Sequence, residues 1–285
     1  MEQHHIIADF STSDAWIILS PIEASIKRKI EAVGTPLKEW DIQINYGIKT
    51  GCNDAFVIDT AKRDEILANC ESEEERQRTE ALIRPILRGR DIKRYSYNWA
   101  GRWLINTHNG IRGKLPRIDI QEYPAVKKHL DFYWHEISKR EDQGDTPYNL
   151  RSCAYLEDFD KPKIIYKETT QEASFVFDNK GMYLDKTCFM LISKDARYLQ
   201  ITLSSKLFEF AYKRVFSSVE LNKKGYQYNK HALLKLPILK LNREVNLTRE
   251  NSEDIIFDLY SISSEEKEYI NNLTSKDSHS KDSDH

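Results

Sequence analysis

Gly47-Ile48-Lys49-Thr50-Gly51-Cys52-Asn53-Asp54-Ala55-Phe56 runs into Val57-Ile58-Asp59, and Arg84-Pro85-Ile86-Leu87-Arg88-Gly89-Arg90-Asp91-Ile92-Lys93-Arg94-Tyr95 follows after two helical segments. From Ile42 the hydrophobic period is two, and Gly47 and Gly51 mark a turn between short strands. The second stretch sets five Arg or Lys around one Gly and one acid. Cations at that density beside a flexible backbone point suit phosphate oxygens and guanine edges better than a core.

Outward from these stretches, the pattern is mixed. Ile22, Ile26, Ile30 and Val33 share one face of a helix over Pro21 to Val33, with Ser20 as cap, Pro21 in the first turn, Glu23 at the third position and Gly34 as stop. Helices are expected over Ala61–Cys70, Ser72–Leu82, Pro124–Arg140, Ala196–Ser204 and Lys206–Phe216, and a short one around Ile255–Tyr260. Strands are expected at Trp103–Thr107, Lys163–Lys167, Ser174–Phe177 and Cys188–Ile192, while Ile83–Leu87 should break at Pro85. Residues 275–285 are Ser, Lys, Asp and His only and are expected to be disordered.

The paired motifs, in this order and spacing, resemble the TaqI-like C-terminal specificity domain of type II restriction-modification enzymes, with further likeness in Trp16–Ser20, Tyr123–Leu130, Lys139–Arg151, Lys161–Tyr166, Leu203–Leu207 and Leu236–Ile238. The family usually has Asn at Ser204, where Ser can serve equally as a helix cap. The resemblance implies an α/β (α+β) target-recognition architecture, a curved mixed sheet with flanking helices, similar to type I specificity-subunit domains. It implies double-stranded DNA as ligand and an adenine-N6 methyltransferase domain or subunit as partner. It also places S-adenosylmethionine in that parent enzyme, with no cofactor expected on this chain. The parent's Asn-Pro-Pro-Tyr loop is absent, as is a Gly-rich cofactor loop. The nuclease Pro-Asp is absent too, and Glu265-Glu266-Lys267 sits in an acidic stretch. The expected division is a linker helix region over 1–40, the recognition domain over 41–242, a helical extension over 243–274 and a tail.

Net charge is −2, from 43 Lys and Arg against 45 Asp and Glu. That balance hides an asymmetry: Arg84 to Arg117 holds nine cations and only Asp91 as acid, whereas residues from Arg243 onward hold eleven acids and five bases. A polyanion feels local charge within a Debye length of about 8–10 Å. Hydrophobic content of 40% supports a core, no apolar run reaches a bilayer's span, and the N-terminus lacks a secretory pattern, so a cytoplasmic protein is expected. Cys52, Cys70, Cys153 and Cys188 form no Cys-x-x-Cys pair, which disfavours zinc.

Candidate DNA contacts follow from side-chain chemistry. Lys49, Thr50 and Asn53 lie in a turn with exposed amides. Arg88, Arg90, Lys93 and Arg94 flank Gly89, with Asp91 able to hold an Arg fork. Arg140 opens a polar loop in which Tyr148 and Asn149 offer base-edge chemistry. Lys163 and Lys167 share one face of a regular strand, and Tyr226 and Gln227 follow a Lys-Lys-Gly turn. The alternative is a protein-interaction module that recruits or regulates a methyltransferase in phage defence, using the Ile22, Ile26 and Ile30 face and the acidic tail. Paired catalytic groups and metal-ligand spacings are not evident, so no catalytic residue is assigned.

Overall fold

The structure is a computed structural model describing residues 19–216, 226–241 and 247–279, with side chains to residue 274. In chain order it forms α1 (Pro21–Val33), β1 (Thr35–Pro36), β2 (Gln43–Tyr46), α2 (Asn53–Phe56), β3 (Val57–Asp59), α3 (Thr60–Ala68), α4 (Glu73–Leu82), β4 (Ile83–Leu87) and β5 (Arg102–Ile105). Next come α5 (Pro124–Phe132), α6 (Trp134–Ile137), β6 (Lys163–Lys167), β7 (Thr169–Thr170), β8 (Phe175–Asp178), β9 (Tyr183–Leu184) and β10 (Cys188–Ile192). The remainder is α7 (Ala196–Ser204), α8 (Lys206–Phe210) continuing as a π-helical turn over Ala211–Phe216, β11 (Tyr226–Gln227), α9 (Lys230–Leu233), β12 (Pro237–Ile238), α10 (Ser252–Leu259) and α11 (Ser264–His279). The expected mixed α/β class holds, with the strands shared among several small sheets.

Two compact units are interleaved along the chain. One takes residues up to Gln43, Lys167–Val176 and Ser193 onward; the other takes Ile44–Tyr166 and Phe177–Ile192. The boundaries expected from sequence are therefore not those of the compact units. In the first unit, α1 starts as its sequence dictates: Ser20 accepts from the Glu23 amide while the Glu23 carboxylate accepts from the Ser20 amide. Its Ile26 and Ile30 are fully buried. That burial takes two of the three isoleucines of the face on which the protein-interaction alternative relied, and leaves Ile22 half-buried. Glu266 of α11 accepts from Lys29 Nζ at 2.7 Å and Ser25 Oγ at 2.9 Å. These contacts seat a helix that lies largely in the helical extension expected over 243–274 and runs to His279, into the stretch expected to be disordered. Residues 280–285 lie outside the described residues, as do Trp16–Ile18 and Lys223–Gly225. Ser204 does not start a helix. Its hydroxyl donates back to the Gln200 carbonyl at 2.7 Å, and the neighbouring Ser205 caps α8.

The second unit holds a mixed sheet in the order β3-β5-β4-β9. Its central β4 does not break at Pro85. Ile83, Arg84 and Pro85 pair antiparallel with Ile105, Leu104 and Trp103 of β5, and Ile86 and Leu87 pair parallel with Tyr183 and Leu184 of β9. The proline is the last residue of β4 paired with β5, directly before the strand takes up β9 as partner. A further sheet, in the order β2-β10-β6-β8, has most of its residues in this unit. The expected Pro124–Arg140 helix is broken at Tyr133 into α5 and α6 and ends at Ile137. The core gathers Phe56, Ile86, Leu87, Leu104, Ile105, Phe159, Ile164 and Ile165, all essentially inaccessible. Burying each such side chain contributes about 1.5–3 kcal/mol.

Candidate nucleic-acid interface

The turn that connects β9 to β10, strands of two different sheets, joins the two opening motifs. Gly47 N donates to the Cys188 carbonyl at 2.9 Å and Ile48 N to the Leu184 carbonyl at 2.7 Å. On its other side, Asp185 N donates to the Leu87 carbonyl at 2.9 Å, and Gly89 N donates to Thr187 Oγ1 at 2.9 Å. Five residues, Leu184 to Cys188, thus hold the Lys49 turn and the Arg88 turn against one scaffold. Gly47 is required there, because a Cβ would lie 1.9 Å from the Asp185 carbonyl oxygen.

Arg140 ties a third loop to the same turn. Its guanidinium donates to the carbonyls of Thr50, Asp142 (3.1 Å), Pro147 (2.9 Å) and Asn149 (2.5 Å), and lies over the Phe56 ring at 4.3 Å. Only 7% of the residue is exposed, and burial pushes its pKa down to about 10. Arg140 is therefore placed as a strut: four of its five N–H donors lie on carbonyls, and the fifth, on Nε, is buried away from solvent.

A fourth segment is latched by asparagines. Asn149 Nδ2 donates to the Ile118 carbonyl at 2.9 Å, and Asn109 Nδ2 donates to Ser152 Oγ at 2.8 Å while its Oδ1 accepts from Asp145 N at 2.8 Å. Asn149 is buried with its amide engaged, so it does not offer the base-edge chemistry expected of it. Between these loops lies an open groove of about 940 Å³, lined by Ile111–Arg117 together with Asn109, Gly110, Asp145, Ser152 and Ala154. Arg112, Lys114 and Arg117 are exposed on it. Lys114 pairs with Glu157 and Arg117 with Asp145 at 3.3 Å, while Arg112 makes no ion pair among the described residues. A smaller pocket of about 80 Å³, lined by Lys49, His108 and Arg151 among others, shares Ser152 with the groove. From the sequence Arg112 and Lys114 stand out only as loop residues, and Arg117 and Arg151 are not among the candidates. The signal for Arg117 is the excess of cations over Arg84–Arg117; Arg151 follows Glu141, Asp142 and Asp145 and has none.

The remaining candidates divide by environment. Thr50 is buried, its Oγ1 donating to Asn53 Oδ1 at 2.6 Å, whereas Lys49 is half-exposed beside the Tyr46 ring. Arg88 grips Asp91 bidentately, Nε to Oδ2 at 3.2 Å and Nη2 to Oδ1 at 3.0 Å, and the same carboxylate accepts from the Arg88 amide. That pair builds the turn and leaves Arg90 and Lys93 exposed and Arg94 half-exposed beside Tyr95. Lys163 is fully buried, donating to Asp178 Oδ2 at 2.7 Å and the Phe159 carbonyl at 2.5 Å. It does not line a groove with Lys167. Alternation along a strand cannot reveal that this cation's face is the inner one. Lys167, Tyr226 and Gln227 belong to the other unit, where Gln227 Nε2 donates to Glu168 Oε1 at 2.9 Å and Lys213 lies over the Tyr226 ring.

Fold and groove together define a mixed α/β domain that presents exposed cations on loops fixed by buried hydrogen bonds. The sequence profile of the TaqI-like C-terminal specificity domain matches residues 84–238, more than half of the chain, and the chain belongs to that family. Over 198 residues (68% of this chain and 32% of the relative) it is 23% identical to the type II methyltransferase M.PaeR7I of Pseudomonas aeruginosa. Among solved structures it resembles the type IIG restriction endonuclease BpuSI with a TM-score of 0.53 at 13% identity, covering 83% of this chain and 28% of that one. The type IIL restriction-modification enzyme MmeI, solved with DNA, matches with a TM-score of 0.44 at 13% identity, covering 78% and 27%. The chain thus spans about a third or less of each relative's length. No helix among the described residues is long and apolar enough to cross a membrane.

Proposed function

We propose that this chain reads duplex DNA sequence for an adenine-N6 methyltransferase of a type II restriction-modification system, with catalysis and S-adenosylmethionine binding residing in a partner domain or subunit. The observation that carries this reading is the joining of the Lys49 and Arg88 turns on the Leu184–Cys188 turn, with the Arg140 strut tying the groove-lining loop to the Lys49 turn. Rigid backbone positions exposed Arg and Lys at fixed places, which is what base readout needs beyond charge alone. Family membership supports the same reading. Lys49, Arg90, Lys93, Arg112, Lys114 and Arg117 contact phosphates and groove edges. Arg88, Arg140, Thr50 and Lys163 hold the loops in place. The test is selection of the purified chain, alone and with its methyltransferase partner, against a random duplex pool. A reader enriches one short motif, and substituting Arg90 or Arg112 blurs particular positions of it. A pool that stays random under both conditions contradicts the proposal.

A further inference from the structure

The second unit carries an exposed aromatic corner that its fold does not use. Phe132 ends α5 and Trp134 begins α6, and they are 82% and 45% exposed. Exposed apolar side chains that cluster, rather than lie scattered singly, mark interaction sites. Phe132 touches Tyr133 edge-on at 5.1 Å, and Trp134 packs on Tyr148 at 5.3 Å. Tyr148 in turn is fixed by its hydroxyl on Asp131 Oδ1 at 2.5 Å. Tyr148 belongs to the Arg140–Ser152 loop that lines the cationic groove, three residues from Asp145. A chain spans at most about 3.6 Å per residue, so the backbone at Tyr148 lies within roughly 11 Å of the groove wall, less than one major-groove width of about 12 Å. Corner and groove therefore reach one duplex.

Charge favours DNA as the occupant. Lys127, Lys128 and Lys139 lie within five residues of the corner along the chain, against Asp131, already engaged by Lys127 and Tyr148, and the exposed Glu136. Lysines are depleted from the buried centre of protein interfaces, but they are what a phosphate backbone recruits. Resting on the DNA-reading proposal above, we infer that Phe132 is a wedge that inserts between base pairs of the bound duplex, with Trp134 and Tyr148 as its rigid base. Apolar side chains inserted at a base step unstack and kink DNA. Base–aromatic stacking tolerates any sequence, so insertion accompanies binding to any duplex.

The experiment uses the full chain on closed-circular plasmid relaxed by topoisomerase in its presence, with binding measured in parallel. The expected result is a topoisomer shift with wild type and with Phe132→Trp, and none with Phe132→Ala at protein concentrations where that variant is bound. Phe132→Ala should also bind roughly 5- to 100-fold more weakly, the range set by stacking losses. The ring is open to solvent, so Phe132→Ala should fold as wild type, checked by thermal melting; Phe132→Ser provides a second truncation. Wild type that binds without shifting topoisomers, or Phe132→Ala that shifts them equally, overturns the wedge while leaving DNA reading intact. So does loss of methyltransferase-domain capture by Phe132→Ala with topoisomers unchanged, which would place a protein on the corner. Wild type that binds no plasmid at low salt overturns both.

Discussion

Replacing Arg140 separates a strut from a contact. Arg140→Ala removes a guanidinium that donates to four carbonyls and leaves those of Thr50 and Asn149 in a buried setting. A hydrogen bond to a charged group contributes about 1.5–3 kcal/mol, but the four share one cation whose own burial is unfavourable, as its pKa held down at about 10 attests. The net loss should resemble breaking a buried ionic network, about 3 kcal/mol or somewhat more. At about 1.4 kcal/mol per tenfold, local opening of the loop becomes roughly a hundredfold more frequent. Amide hydrogen exchange reads this at Gly144, which donates to Asn149, and at Leu150, which donates to Thr107. Arg140→Lys should recover little, since an ammonium cannot span four acceptors in one plane. DNA affinity should fall through disorder of the loop, and the salt dependence contributed by Arg112 and Lys114 should persist. Unchanged exchange at both amides, with a salt slope reduced by about one phosphate's share, would show Arg140 bonding DNA directly and refute the reasoning.

Other outcomes follow from the same contacts. Lys163→Ala should destabilise by about 3–5 kcal/mol in urea unfolding, because it strands Asp178 without its buried partner, and should leave the salt slope of DNA binding unchanged. Arg88→Ala should lower stability by about 1–3 kcal/mol by releasing Asp91, whereas Arg90→Ala should stay within about 0.5 kcal/mol of wild type and weaken DNA binding. Burial lowers the pKa of His129 below its ordinary 6.5, a shift partly offset by its bond to the Ala55 carbonyl, and burial lowers His108 as well. The unfolded chain therefore binds more protons as pH falls below about 6.5, so stability declines on acidification through that range and levels off beneath the folded values. Unfolding free energy measured from pH 7.5 downward should show this slope, and His129→Gln should flatten it.

Legibility from sequence tracked how local each interaction is. The start of α1 was readable because Ser20, Pro21 and Glu23 act on one another within a single turn. The two loop motifs were readable because their Gly and Arg content is anomalous along the chain itself. Which cation faces solvent was not. Lys163 is buried by Asp178, and Arg140 by Thr50 and Phe56, across separations that no periodicity reports. Pro85 looked like a breaker because a single sequence cannot show that β4 changes partner there. The Leu184–Cys188 turn carries no unusual composition, and its role comes wholly from tertiary placement. Tyr133 interrupts a helical pattern without Gly or Pro, and the Phe132–Trp134 corner is the consequence.

The most direct test of the account is the salt dependence of duplex binding by the intact chain and by a variant with Arg112, Lys114 and Arg117 all replaced by Ala. Each phosphate neutralised contributes about −0.9 to the slope of log K against log salt. The account predicts measurable binding at low salt, a steep slope for wild type, and a slope flatter by about 2.7 in the triple variant with folding unchanged. An equal slope in both proteins, or no duplex affinity at low salt, would contradict it.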